Sequence, residues 1–252
     1  MNSKLPVTVA DTARRSLNGE SGRLVMPHSQ LIFCTEGGGE LICENSLPSL
    51  FGAGDVIFIA PSVLHGFRAE NAELMLVLAS GTYIRSVSDY FDFGYSCVIG
   101  GCGELEAIFK ELLGEAAQAL DDDTDISSAL YELIVRCGII RLRSRPAYSV
   151  EGFIAGAAEA YLTENYSKPD FSFEPLVKEL GIPRSELDAV LKKRTGSDAD
   201  GCYMRFRLEV MRTLEYLRPH LDFDRCAMTN GFKSYEEYKR AREEVPAAPL
   251  RF

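Results

Sequence analysis

The spacing of apolar residues changes character near residue 100, and this change constrains the fold more than any other feature of the sequence. Up to about Val98, short apolar runs such as Val56–Ala60 and Leu74–Leu78 are bounded by turn-forming residues, which is typical of β-strands. From Gly103 onward, apolar residues recur every three or four positions, which indicates α-helices. A chain of 252 residues is long enough for two domains. We therefore predict an α+β protein, with a β-rich first domain followed by helices.

Two helices are predicted within residues 103–145. Their apolar positions are Leu105, Ile108, Phe109, Leu112, Leu113 and Ala116 in the first, and Leu130, Leu133, Ile134, Cys137 and Ile140 in the second. An acidic run separates them, and Asp125 or a neighbour is placed to cap the second helix, so an antiparallel pair is expected. Arg145-Pro146 ends the second helix, because proline lacks an amide donor and restricts the residue before it. A linker is expected there.

A hairpin is expected around a group of three glycines in the first domain. The apolar runs Gln30–Cys34 and Glu40–Cys43 flank Glu36-Gly37-Gly38-Gly39. Glycine supplies the positive φ that a tight turn requires. Two short strands joined by a reversal of the chain are therefore predicted.

A turn-strand-turn motif follows these glycines. Gly54-Asp55 forms a turn that opens a strand, Pro61 ends that strand, and His65 starts the next one. These intervals resemble the second motif of the cupin barrels, in the version carried by the sensor domains of AraC-type regulators. The resemblance implies a cupin-like barrel over residues 1–102 that binds a small-molecule effector.

The candidate ligand-binding residues of this barrel are His28, Phe33, His65 and Phe67. Enzymatic cupins hold a metal with a His-x-His pair and a glutamate, whereas Pro27-His28-Ser29 offers one histidine and no matching carboxylate. We therefore predict no metal, no other cofactor and no catalytic site. A barrel that serves only as a folding and dimerisation scaffold remains an alternative.

The last hundred residues contain a helix, a glycine turn and a second helix. Ser172 is placed to cap a helix that runs through Leu180, and Gly181 permits a left-handed turn after it. A further helix is expected from Arg184 to Arg194, which completes a helix-turn-helix pattern. A longer helix is predicted from Tyr203 to Leu217.

Ordered landmarks in residues 150–252 resemble the DNA-binding domain of AraC/XylS regulators. They are Lys192-Lys193-Arg194-Thr195-Gly196, Tyr203 with Arg207-Leu208, Cys226-Ala227-Met228-Thr229-Asn230-Gly231-Phe232, Tyr238, and Pro249 with Leu250-Arg251. The resemblance implies an all-α domain of two helix-turn-helix units, joined by a long helix, that binds double-stranded DNA. It also implies that residues 103–145 pair two subunits into a homodimer. RNA polymerase is a further candidate partner, as for an activator, although activation and repression both stay open.

The resemblance also names candidate DNA-contacting residues in both units. They are Arg184, Ser185, Asp188, Lys192 and Lys193 in the first unit, Arg207 on the connecting helix, and Lys233, Ser234, Tyr235, Lys239 and Arg240 in the second unit. An arginine can pair with a guanine edge, and lysines neutralise phosphates.

The sequence departs from the family pattern at three places. Val177 stands where the first unit has alanine, Arg242 stands where the second unit has phenylalanine, and Glu243-Glu244 makes the last helix acidic. The net charge of the chain is −10, and residues 150–252 hold 16 basic and 18 acidic side chains. This balance is poor for phosphate binding, which needs clustered cations.

A ligand-responsive transcription regulator is the leading hypothesis. The alternatives are a degenerate member of the family that acts through protein–protein contacts, and a cupin enzyme, which would need a bound metal. Seven cysteines at irregular spacings, with no Cys-x-x-Cys pair, indicate a reducing compartment. No apolar run approaches the roughly 20 residues that span a bilayer, and the first residues lack the apolar core of a signal peptide. We expect a cytoplasmic protein with no membrane partner.

Overall fold

The chain divides into two compact units. The computed structural model describes residues 8–44, 47–114, 123–144, 149–168 and 170–245. The first unit comprises Met1–Cys43 and Ser49–Arg145, and the second comprises Glu44–Pro48 and Pro146–Phe252. The Arg145-Pro146 linker, Ala116 and the landmark at Pro249 to Arg251 lie outside the described residues.

One antiparallel sheet of six strands forms the base of the first unit. The strands are β1 (Thr8–Glu20), β2 (Ser29–Cys43), β3 (Ser49–Gly52), β4 (Val56–Ile59), β5 (His65–Ser80) and β6 (Ser96–Ile99). Their order is β1-β5-β2-β4-β6, with β3 paired to β2. The predicted α+β class is therefore confirmed, although the described strands form an open sheet, with β1 and β6 at its two ends, rather than a closed barrel.

The hairpin predicted at the three glycines is wrong. Strand β2 is continuous from Ser29 to Cys43, pairs with β5 throughout, and passes its glycines with two register shifts. Gly37 has a φ of 72°, and a Cβ on it would lie 2.1 Å from the carbonyl oxygen of Asn71. The glycines therefore permit a bulge and a close approach of two backbones, instead of a reversal of the chain.

The motif after these glycines folds as predicted. The amide of Gly52 donates to Oδ2 of Asp55 over 2.9 Å, which closes the turn before β4. Strand β4 ends at Ile59, two residues before Pro61, and β5 begins at His65.

Three α-helices pack with this sheet in the described part of the first unit. They are α1 (Thr82–Tyr90), α2 (Glu106–Leu112), which follows a 3-10 turn at Gly103–Leu105, and α3 (Asp123–Ser144). The predicted apolar stripes of α2 and α3 are confirmed, because Phe109 and Leu133 are fully buried in one core with Phe33 and Phe58 of the sheet. Helix α1 is an addition that the sequence does not predict. Alternate residues of the same strands form a second core, which includes Ile57.

Six helices form the described part of the second unit. They are α4 (Val150–Asn165), α5 (Glu174–Leu180), α6 (Arg184–Thr195), α7 (Ala199–Leu217), α8 (Phe223–Thr229) and α9 (Tyr235–Glu244). Gly181 adopts the predicted left-handed conformation, with a φ of 67°. Helix α7 begins four residues earlier than predicted, because the Asp198 carboxylate caps it by accepting a bond from the Gly201 amide.

The second unit contains two apolar cores, one for each helix-turn-helix. The larger core joins α4, α5, α6 and the first part of α7, and it includes Val177 and Leu191. The smaller core joins the rest of α7 to α8 and α9 through Leu208, Phe232 and Tyr238. Within the described residues, no helix combines the length and the apolar content that crossing a bilayer requires.

Candidate functional site

Helix α6, the second helix of the first helix-turn-helix, presents an exposed face. Ser185, Ala189 and Lys192 are exposed and lie four and three residues apart, which places them on one side of the helix. Lys193 is also exposed, and its Nζ pairs with Glu151 of α4 at 2.8 Å. This face combines small side chains near the start of the helix with two cations in its last turn.

Arg184 and Asp188 engage each other in the structure. The Arg184 Nε donates to Oδ1 of Asp188 over 3.2 Å, and its Nη2 donates to Asp200 over 2.8 Å. Oδ1 of Asp188 also accepts the backbone amide of Ala199 over 3.0 Å, at the start of α7. These two side chains therefore fix α6 to α7, and a base contact by Arg184 would require it to leave two carboxylates.

Arg207 is buried beneath the second helix-turn-helix. Its side chain is only 6% exposed, and its Nε donates to the carbonyl of Asn230 over 2.7 Å. The guanidinium carbon lies 3.9 Å from the ring centroid of Phe232 and 5.1 Å from that of Tyr203. Burial lowers the pKa of Arg207 from its ordinary value. The structure thus places Arg207 at the base of the turn between α8 and α9, away from solvent.

The remaining candidate cations are Lys233, which lies just before helix α9, and Lys239 and Arg240 on that helix. Lys233 and Arg240 are exposed. Lys239 forms an ion pair with Glu236, and its Nζ lies 5.1 Å from the ring centroid of Tyr235. Ser234 caps the helix, since its hydroxyl accepts the amide of Glu237 over 3.2 Å.

A carboxylate on α7, Glu215, joins three side chains of α9. It accepts the hydroxyl of Tyr235 at 2.5 Å, the hydroxyl of Tyr238 at 2.8 Å and Nη1 of Arg242 at 2.9 Å. The hydrogen bond to Glu215, together with burial, raises the pKa of Tyr235 to about 12. Sequence analysis missed Glu215, because nothing in its local sequence marks it. Arg242, where the resemblance in sequence led us to expect phenylalanine, pairs with this carboxylate.

The candidate ligand residues of the first unit do not meet at one place. Phe33 belongs to the core with the helices, whereas Phe67 belongs to the second core of the sheet. His65 is fully buried, with Nδ1 at 2.8 Å from the Val63 carbonyl and Nε2 at 3.2 Å from Gln30. Burial lowers the pKa of His65, which favours the neutral ring.

His28 lines a cavity in the sheet domain, together with Ser80. Its Nδ1 lies 2.6 Å from the hydroxyl of Ser80. Among the described residues, no group of three or more His, Cys, Asp or Glu side chains is arranged to hold a metal ion.

Comparison with known proteins finds distant likeness in structure alone. No family model matches the chain, and no curated protein matches it. A structure of ToxT from Vibrio cholerae aligns with a TM-score of 0.43 at 11% identity, covering 96% of this chain and 96% of that chain. ToxT from strain SCE256 with an unsaturated fatty acid bound aligns with a TM-score of 0.44 at 11% identity, covering 96% of this chain and 92% of that chain.

Oxalate decarboxylase from Bacillus subtilis matches a smaller part. It covers 32% of this chain and 28% of that chain, with a TM-score of 0.26 at 12% identity. At these identities and TM-scores, the likeness does not bear on function.

Proposed function

We propose that this chain is a cytoplasmic, ligand-responsive transcription regulator of the AraC/XylS type that binds double-stranded DNA. The observation that carries the proposal is the pair of helix-turn-helix units, α5–α6 and α8–α9, joined by helix α7. The second helix of each unit has exposed residues suited to a DNA groove.

The length of α7 fits a reader of two successive grooves. Its 19 residues extend about 28 Å at a rise of 1.5 Å per residue. One turn of B-DNA extends roughly 34–36 Å, and the recognition helices attached near the two ends of α7 add reach. Rigid spacing between two recognition helices favours sites with two short elements about one turn apart.

The exposed residues have distinct roles in this proposal. On α6, Ser185 and Ala189 face base edges, while Lys192 and Lys193 neutralise phosphates. Lys233, two residues before α9, and Arg240 on α9 are exposed cations, and Lys239 joins them when DNA displaces Glu236. The recognition helices are held in place by Arg184 and Asp188, which fix α6 to α7, and by Arg207, which supports the turn before α9. Ser234 and Tyr235 hold the start of α9.

A homodimer through α3 belongs to the same proposal. One side of α3 exposes Tyr131, Ile139 and Leu142, which are 47%, 37% and 45% exposed. These residues are eight and three positions apart, so they form a stripe along one helix face. Covering such a stripe with a second copy of α3 would remove apolar surface from water.

An effector acts on such a regulator only through a difference in affinity. The ligand must bind one state of the protein more tightly than another, because equal affinity for both states shifts no population. The first unit is the proposed site of that ligand.

DNA binding is tested by selecting bound sequences from a random duplex library and measuring their affinity across a salt series. The variant Lys192→Gln with Lys193→Gln removes two cations without adding a negative charge. We expect a loss of about tenfold at every sequence, and a salt slope that falls by about 2, because each phosphate contact contributes about 0.9.

The matched control is Lys110→Gln with Arg15→Gln, which removes two cations from the sheet domain, neither of them on α3. Its affinity and salt slope should equal those of the unmodified protein. Absent binding at low salt, or a shift that does not depend on salt, contradicts the proposal.

A second candidate is a family member that acts through protein–protein contacts and no longer reads DNA. Two observations favour it. Arg184 is held by Asp188 and Asp200 rather than free, and Lys239 is paired with Glu236. The same lysine variant discriminates, since a protein-contact surface need not show a uniform loss of DNA affinity.

A further inference from the structure

A cavity of about 1050 Å³ opens within the first unit, beside helix α1. Its wall is formed by the residues after β4, by the end of β5 and by the first two turns of α1. Ligand pockets in proteins commonly measure about 300–1,000 Å³, so this cavity has room for a metabolite.

The α1 wall of the cavity presents two opposite charges, Arg85 and Asp89. They lie four residues apart, so their side chains leave the same face of the helix. Both residues are exposed. Within the described ranges, neither side chain forms a hydrogen bond or an ion pair.

This absence of pairing contrasts with other helices of the same chain. Arg184 and Asp188, in the same order and spacing, pair at 3.2 Å on α6. Pairs four residues apart also close on α2 and α3, at 2.7 Å and 2.8 Å. Arg85 and Asp89 instead offer a separate cation and a separate anion to the cavity.

The rest of the wall combines an apolar part with a polar pair. Phe58 and Ala79 are buried beneath the cavity, and Tyr95 stands at its edge with 82% of its surface exposed. On the strand side, His28 Nδ1 and the Ser80 hydroxyl are 2.6 Å apart. A ligand there meets charge on one side and apolar surface on another.

Backbone strain marks the same cavity. Ser62 lines it with a φ of 64°, a region that residues other than glycine rarely occupy. Its amide donates to the carbonyl of Met26 over 2.8 Å, which holds the strained turn in place. Strained residues cluster at ligand sites, because the surrounding structure must maintain them.

We infer that this cavity binds a small zwitterion with an apolar body, of the α-amino-acid type. The carboxylate of the ligand pairs with Arg85 and its ammonium group pairs with Asp89. The apolar side chain packs toward Phe58 and Tyr95. Only the step from bound ligand to effector rests on the proposed regulatory function, because the binding itself requires no DNA.

Isothermal titration of the full chain tests the inference with three matched probes, in the absence of DNA. The probes are L-leucine, N-acetyl-L-leucine, which lacks the positive charge, and L-leucine amide, which lacks the negative charge. We expect leucine to bind about tenfold more tightly than either analogue, since each analogue loses one charge-assisted contact. L-Phenylalanine extends the series to a larger apolar body.

Two variants assign each charge to its partner. Arg85→Gln should weaken leucine about tenfold and abolish its advantage over leucine amide, and Asp89→Asn should abolish its advantage over N-acetyl-leucine. Arg136→Gln removes an exposed arginine on another helix and should leave all three affinities unchanged.

Three results would overturn the inference. They are no binding of any free amino acid at millimolar concentration, equal affinity for leucine and its two analogues, or variants at Arg85 and Asp89 that bind leucine like the unmodified protein. Thermal melting of each variant confirms that it is folded. Failure of DNA binding in the separate experiment above would leave these results intact, so the two proposals fail independently.

Discussion

The two helix-turn-helix units of the second domain share a pattern but are held together differently. The first helix-turn-helix packs α5 and α6 with α4 around a large apolar core. The second helix-turn-helix, α8–α9, has a smaller apolar core, and two side chains of α7, Glu215 and Arg207, complete it. Glu215 joins three side chains of α9, while Arg207 supports the turn before α9.

This difference explains how the second helix-turn-helix accommodates the charged side chain of Arg242 on α9. Nη1 of Arg242 lies 2.9 Å from a carboxylate oxygen of Glu215 on α7. A polar network that is fully partnered can fix one geometry, whereas a broken network leaves buried groups unpaired. The stability of the second helix-turn-helix should therefore depend more on single polar substitutions and on pH than the stability of the first helix-turn-helix does.

The largest expected effect on stability comes from a loss of apolar packing in the first helix-turn-helix. Leu191 is fully buried between α6 and its neighbours. Leu191→Ala should lower the free energy of unfolding of the second domain by about 2–5 kcal/mol, because the cavity collapses only in part. Urea denaturation monitored by circular dichroism measures it. Lys192→Ala, one residue away and exposed, should change stability by less than about 0.5 kcal/mol.

The next largest effect on stability concerns Arg207, which is buried beneath the second helix-turn-helix. Arg207→Met keeps a long apolar side chain but removes the bond to the Asn230 carbonyl, which is 2.7 Å long. We expect a loss of about 1.5–3 kcal/mol, typical of a hydrogen bond to a charged group. Hydrogen exchange should show faster exchange in α8 and α9, with α5 and α6 unchanged. Equal exchange in both units would break the comparison. Arg240→Met, on the exposed face of α9, is the control.

A smaller effect is the pH dependence of the Tyr235–Glu215 bond. The pKa of Tyr235 is raised from its ordinary 10 to about 12. The folded state therefore holds the proton more tightly than the unfolded state. The resulting stabilisation is complete below pH 10 and is lost as the pH rises through 12. Tyr235→Phe should flatten this part of the pH profile of the urea midpoint. An unchanged slope would show that the bond contributes nothing.

The smallest effects on stability are expected at the exposed residues of the two proposed recognition helices. Ser185→Ala and Arg240→Ala should each leave stability within about 0.5 kcal/mol. Their effects on DNA should differ. Ser185→Ala should relax the preference at one position of the selected sequence, whereas Arg240→Ala should weaken all sequences alike if it contacts phosphate. Selection with each variant separates the two outcomes.

The helical part of the fold was predictable because its signals are local. Gly181 has the conformation that its position predicts, and α6 ends within one residue of the expected place. Local signals were less informative in the first unit. The glycines of β2 serve a bulge that depends on the facing backbone at Asn71. Helix α1 has only nine residues, and so short an apolar pattern does not by itself distinguish a helix from a strand.

Side-chain roles were harder to predict than helices, because partners come from distant parts of the chain. Arg184 and Asp188 have the types and spacing of groove-facing residues, but Asp200 and the amide of Ala199 engage them. Arg207 meets the carbonyl of Asn230, 23 residues away. Such contacts become visible only when the helices are packed.

Hydroxyl-radical footprinting of the full chain on a selected duplex tests the central claim most directly. Two recognition helices joined by α7 should protect two patches on one face of the duplex, with centres about 10–10.5 base pairs apart. The double variant Lys192→Gln with Lys193→Gln should reduce protection of the DNA patch bound by the first helix-turn-helix more than protection of the patch bound by the second. A single protected patch, or no protection at concentrations that saturate the mobility shift, would contradict the account.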